Sequence, residues 1–280
     1  MAVNHPRLEG LTSAEFSKAE RLFRWAARVQ LLVATLAAAS IFVIDPKLNV
    51  AIAALALFLY FAWAALDLRY KSARGQAERG RRALLIADGL GGTVSPGEMR
   101  EVEAGFSVDP VTGRAAQNPE YFASDREVGE ARLTELLEES GFYSCRLYGL
   151  SAAWAWWRFA FAGGMFVLML MSSVTVMQGE QLALFARVAS TALIFLVGQE
   201  VFGTAVAYSR AQESLSGLQA RVRAIRELGY PKGDLLLLLG DYNSAVEGAP
   251  LMAPGVYKRA APRLDELWRT HLEQGAGKNG

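Results

Sequence analysis

Two long apolar runs, Phe159 to Met177 and Leu182 to Ala207, are separated by only four polar residues, Gln178-Gly179-Glu180-Gln181. At about 1.5 Å of rise per residue, each run as a helix is long enough to cross a hydrocarbon layer of about 30 Å, and so short a link makes the pair a hairpin. Nothing else in the chain constrains its fold as strongly, because two such helices read as a membrane hairpin and not as part of a water-soluble core. Inside the second run stand Arg187, Gln199 and Glu200. Polar and ionisable groups at membrane depth are costly, which makes these three the candidate functional residues, as intramembrane or pore-lining groups. Along one helix Arg187 and Glu200 differ by roughly 20 Å of rise and about 220° of rotation, so they cannot pair with each other. Glu200 shares its helical face with Leu196, Gly203, Thr204 and Ala207, a small-residue surface that admits a close neighbour. Repeated around an oligomer, Gln199 and Glu200 would line a polar seam favouring cations. The alternative is a protonated or snorkelling glutamate used for packing.

A second hairpin precedes this one. Val29 to Ile44 and Val50 to Leu66 are apolar, and Asp45-Pro46-Lys47-Leu48-Asn49 between them is turn chemistry. Trp25 and Trp63 on this hairpin, and Trp154, Trp156 and Trp157 on the other, fall where aromatic side chains anchor helices at headgroup level. The expected architecture is therefore an all-α membrane protein with four transmembrane helices in two hairpins. Segment by segment, 1–28 is a cytosolic amphipathic helix, 29–69 the first hairpin, 70–153 a cytosolic helical insert, 154–209 the second hairpin, 210–274 the C-terminal cytosolic helices and 275–280 a disordered tail.

Charge sets the orientation. Of 29 Lys and Arg, five precede the first span, twelve lie from Arg69 to Arg158 and ten from Arg210 onward, while the outer turns hold only Lys47. By the positive-inside tendency both termini and the insert face the cytoplasm. A hydrophobic content of 52% beside 20% charged residues suits a chain divided between bilayer and water. A net charge of +1 argues against DNA or RNA held by bulk charge. One cysteine and two distant histidines, His5 and His271, offer no metal-ligand spacing. No His, Asp or Cys constellation near the spans suggests an enzyme, and no cofactor is expected.

The soluble segments read as helices. Thr12 and Glu15 match a capping box that would start the first helix near Ser13, with Phe16, Leu22, Phe23 and Trp25 as its apolar stripe. Lys71, Arg74, Arg79, Arg81 and Arg82 continue the second span as a basic stalk that would suit an anionic membrane surface, although solvation and orientation alone explain it and are the simpler reading. Gly89, Gly91 and Gly92 end that stalk; with no preceding strand and no following Gly-Lys-Ser/Thr they are not a phosphate loop. Ser95-Pro96-Gly97-Glu98 restarts a helix, 105–119 reads as an irregular loop, and Ser124 with Glu127 would cap a helix carrying Leu133, Leu136 and Leu137. Beyond Arg210 the fourth span continues as a helix to Leu228, and Asp234 would cap the buried run Leu235 to Leu239. A last helix is expected from about Tyr257 to Gln274.

The layout resembles the SMODS-associating four-transmembrane effectors, pore-forming proteins of bacterial antiviral defence islands. The resemblance rests on two hairpins flanking an insert of this size, on Glu139-Ser140-Gly141-Phe142-Tyr143-Ser144 leading into the third span, and on Ala253-Pro254-Gly255-Val256-Tyr257-Lys258-Arg259 before the final helix. It implies an inner-membrane effector held inactive until an infection signal promotes homo-oligomeric assembly that permeabilises the membrane. That signal would be a cyclic nucleotide from a neighbouring synthase, or a signalling partner protein. The alternative is a constitutive small-ion channel or membrane scaffold without a nucleotide trigger.

Overall fold

A computed structural model of the chain describes residues 6–40, 43, 45–91, 94–118, 121–176, 179 and 201–276. Among them every regular element is a helix: α1 (Pro6–Ser40), α2 (Pro46–Leu90), α3 (Pro96–Gly105), α4 (Pro110–Ala115), α5 (Glu130–Val176), α6 (Phe202–Ser216), α7 (Leu218–Glu227), α8 (Lys232–Gly248) and α9 (Val256–Ala276). The chain divides into two compact units. Unit 1 comprises Met1–Glu20, Lys71–Ser151 and Ala207–Gly280, and unit 2 comprises Arg21–Tyr70 and Ala152–Val206. Helices α1, α2, α5 and α6 each supply residues to both.

Unit 1 closes around buried apolar side chains. Leu8 of α1 packs with Ala83 and Leu84 of α2 and Val102 of α3, flanked by Met99, Phe106, Tyr121 and Phe122. A second cluster joins Leu147 of α5 to Ala253, Val256 and Leu264. Leu133, Leu136 and Leu137 share one face of α5 and are fully buried, as their spacing predicts. Each such leucine contributes about 1.5–3 kcal/mol relative to an exposed one.

Several helix starts differ from expectation, and the reasons are tertiary. Thr12 and Glu15 do not begin α1, which starts at Pro6. The Glu15 carboxylate instead accepts the Ser107 and Val108 amides at 2.9 and 3.1 Å and the Ser107 hydroxyl. Glu9, two turns earlier, accepts the Asn118 amide at 3.0 Å. Two buried carboxylates thus hold the 105–119 segment against α1, and that segment is not irregular throughout: Asp109 accepts the Val111 and Thr112 amides and caps α4. A Cβ at Gly10 would collide with the Gly113 carbonyl oxygen, so glycine permits this close backbone approach. The stripe that α1 buries is Leu8, Leu11, Thr12, Glu15 and Ala19, whereas Trp25 is 55% exposed.

Ser124 and Glu127 likewise do not cap α5, which begins at Glu130. Residues 121–129 run outside the helix, and the Ser124 hydroxyl donates to Glu135 at 2.7 Å. Ser95 does cap α3, accepting the Glu98 amide with Pro96 at the first helical position. Helix α2 ends where the glycines predict, with Gly91 at φ +57°. Gly217 breaks the expected continuous helix into α6 and α7. Helix α8 starts at Lys232, with Asp234 already in its first turn, so Asp234 is not its cap. Of the leucine run, Leu235, Leu238 and Leu239 are buried but Leu236 and Leu237 are exposed. Of the tail expected to be disordered, Gly275 and Ala276 belong to α9 and 277–280 lie outside the described residues.

Candidate membrane interface

Unit 2 has an apolar exterior. On α1, Leu31 is 69% exposed; on α2, Phe58 is 69% and Phe61 63%; on α5, Trp157, Phe161 and Met171 are likewise exposed. These are residues that a water-soluble fold usually turns inward, and so many large exposed apolar side chains in one unit point to an interaction surface. Among the described residues α2 is the one helix long and apolar enough to cross a membrane, and none of its most apolar 18-residue window is buried. The other three expected crossings each include residues outside the described ones: 41, 42 and 44 in the first, 177 in the third and 182–200 in the fourth. Arg187, Gln199 and Glu200 fall there as well.

Helix α2 opens earlier than the expected turn over 45–49 allows. Pro46 is already helical, Asp45 accepts the Lys47 amide at 2.9 Å, and the Asn49 amide side chain donates to the Val43 carbonyl at 2.8 Å. At the other end of this pair, Phe23 of α1 meets Tyr70 of α2 with ring centroids 5.3 Å apart. Trp63 is half-buried against Tyr60 at 5.5 Å. On the second pair, Trp156 contacts Phe202 of α6 at 5.7 Å, Trp157 stacks on Phe161, and Trp154 is exposed beneath the Arg158 guanidinium. All five candidate anchors therefore belong to unit 2.

The basic stalk requires correction, because it belongs to unit 1 and its central members face the protein. Arg81 is buried, donating to Glu78 at 2.8 Å, to the Tyr242 hydroxyl at 2.7 Å and to Asn243 at 3.3 Å. Arg74 donates to the Val246, Glu247 and Ala249 carbonyls, closing the C-terminus of α8. Arg82 is exposed but forks onto Glu247 at 2.8 Å. Lys71 and Arg79 keep an exposed position. Apart from Glu78, the partners of Arg74 and Arg81 stand more than 160 positions along the chain, beyond the reach of any local spacing. Asn243, Arg82 and Glu247 also line an open groove of about 470 Å³, where the Arg82–Glu247 pair leaves little net charge for a ligand.

Other charges of unit 1 are matched too. Arg132 donates to Asp88 at 2.8 Å with both side chains buried, and also reaches the Ser124 and Arg126 carbonyls. Glu138 joins Arg226 to His271. Glu139 accepts the Ala123 amide at 3.1 Å, and burial pushes its carboxyl up to about 7, opposed by that bond and aided by nearby Glu135. Together Arg132, Glu135 and Glu139 fasten the 121–129 segment to α5. No group of three metal-binding side chains occurs among the described residues. Comparison with family models, with curated proteins and with solved structures returned no match.

Proposed function

We propose that the chain is a multi-pass protein of the bacterial inner membrane, crossing it four times in two hairpins with both termini and unit 1 cytoplasmic. It acts by assembling with further copies into a membrane-permeabilising oligomer. The observation that carries this reading is the exposed apolar exterior of unit 2, which has no stable place in water. The crossing-length helix α2 supports it further. Arg187, Gln199 and Glu200 supply the polar groups of the permeation path, since apolar helices alone conduct no ions. As the family resemblance implies, the oligomer is an antiphage effector whose trigger is a cyclic nucleotide or a signalling partner protein.

Ion flux from vesicles holding the purified full-length chain tests the proposal. Silence relieved by a cyclic oligonucleotide, and loss of that response in Glu200→Leu, is the expected result. Flux without ligand would favour a constitutive channel. Unchanged flux in Glu200→Leu would remove Glu200 from the path.

A further inference from the structure

We propose that the arginines bordering unit 2 form a binding surface for anionic phospholipid headgroups, with Arg28 and Arg158 each seated on a tryptophan face for that contact. The inference rests on the membrane reading of unit 2 and names the lipid class it selects. Five arginines occur among the described residues of unit 2: Arg21, Arg24, Arg28, Arg69 and Arg158. All five are exposed, and all lie near the positions where the chain passes between the units. The Phe23–Tyr70 contact brings the Arg21–Arg28 turns alongside the Arg69 end of α2. The only other charged residues described in this unit are Asp45, Lys47 and Asp67. Asp45 and Lys47 lie at the start of α2, roughly 35 Å along its axis from Arg69 in mid-helix. The carboxylates nearest the arginines along the chain are Glu20, one residue before Arg21, and Asp67, two residues before Arg69.

The placement of exposed arginines beside exposed indoles is what points to a ligand. In unit 1 Arg74, Arg81, Arg82, Arg132 and Arg226 each donate to a carboxylate or a backbone carbonyl, while Arg146 lies over the Phe142 ring. In unit 2 no ion pair joins any of the five arginines to a described carboxylate. Instead Arg28 lies 4.9 Å from the centroid of Trp25, and Arg158 lies 4.5 Å from that of Trp154. A guanidinium stacked on an indole keeps its N–H edge free, and that edge matches two phosphate oxygens. The exposed indoles beneath sit at the depth of a lipid glycerol. Zwitterionic headgroups also carry phosphate, but their own ammonium competes with the arginine, so the net negative headgroup is preferred.

Reconstituting the full-length chain into phosphatidylcholine vesicles tests this, with spin-labelled phosphatidylglycerol or spin-labelled phosphatidylcholine as the probe. The fraction of motionally restricted label gives the relative association. The wild type is expected to favour the anionic probe by about threefold or more at low salt, with the preference collapsing at high salt. Arg24→Gln/Arg28→Gln/Arg158→Gln should bring the ratio near one while incorporation is unchanged. The same three changed to Lys should retain part of the preference, as charge survives and stacking does not. Arg79→Gln/Arg114→Gln, two exposed arginines of unit 1, should leave it intact. Equal association of both probes with the wild type, or an undiminished preference in the triple Gln variant, overturns the lipid surface while the membrane reading stands. Failure of the wild type to incorporate into any vesicle overturns both.

Discussion

Leu133 of unit 1 and Phe58 of unit 2 lie on helices of similar length, yet one is fully buried and the other is 69% exposed. Arginines divide in the same way. Arg132 of unit 1 is buried against Asp88, whereas Arg28 of unit 2 stacks on an indole and meets no described carboxylate. In unit 1 the apolar side chains provide the driving force and the charges are matched internally, as a fold surrounded by water requires. Among the described residues of unit 2 many large apolar side chains face outward, and apart from Asp45 and Lys47 the charges stand near the positions where the chain passes between the units, as surrounding hydrocarbon would require. If unit 2 lies in the membrane as proposed, one chain obeys two solvents, and the same substitution should have different consequences in its two units.

The largest expected effect strikes the internal charge matching of unit 1. Arg132→Ala leaves Asp88 buried without its cation and frees the Ser124 and Arg126 carbonyls, at a cost of about 3–5 kcal/mol. Thermal unfolding of the full chain should show the loss, and hydrogen exchange at 121–129 should rise most. Were Arg132→Ala neutral, unit 1 would not depend on the pairing that distinguishes it from unit 2.

Next comes a charge on the apolar exterior. Phe58 stands near the middle of the apolar stretch of α2, so Phe58→Asp should weaken membrane insertion by about 2.5–3.5 kcal/mol. Carbonate extraction of membranes carrying the variant measures it. A variant that inserts as well as the parent would place Phe58 in water.

A smaller effect concerns pH. The Glu139 carboxyl is raised to about 7 by burial, above its ordinary value, so the folded state holds a proton that the unfolded state has released. Unit 1 should therefore gain stability from this group as pH falls from above 7 towards 4.5, by up to about 3 kcal/mol before solvent screening reduces it. Glu139→Gln should remove that dependence, raising stability at pH 8 and changing it little at pH 5. Equal pH slopes in the two proteins would refute the assignment.

How far the sequence carried these distinctions depends on the distance between partners. Helical class, the Ser95 cap and the buried face of Leu133, Leu136 and Leu137 were legible because each is set within two turns of chain. The capping boxes Thr12–Glu15 and Ser124–Glu127 misled because Glu15 and Ser124 find better-placed tertiary partners. Glu15 finds amides about 92 positions away, and Ser124 finds Glu135 across a turn that only the fold creates. Arg81 was misplaced for the same reason, since nothing local announces Tyr242. The Trp25–Arg28 and Trp154–Arg158 pairs were legible in principle, being three and four positions apart on helices, but the tryptophans were read alone. Arg187, Gln199 and Glu200 stood out because charge within an apolar run is a local signal, and they lie outside the described residues.

The smallest expected effect is also the control that gives the Phe58 result its meaning. Leu237 of α8 is 64% exposed, close to the value for Phe58, but it belongs to unit 1 and its neighbour Leu238 is fully buried. If both leucine and phenylalanine were merely surface residues of a water-soluble fold, replacing either with aspartate would change stability by about 0.5 kcal/mol or less. Leu237→Asp should stay within that limit in thermal unfolding and leave membrane extraction unchanged. A large loss of insertion in both variants would mean that unit 1 also contacts lipid through α8, and the division between two solvents would have to be redrawn. A small effect in one and a large effect in the other isolates the surroundings, since exposure and substituted group are nearly equal.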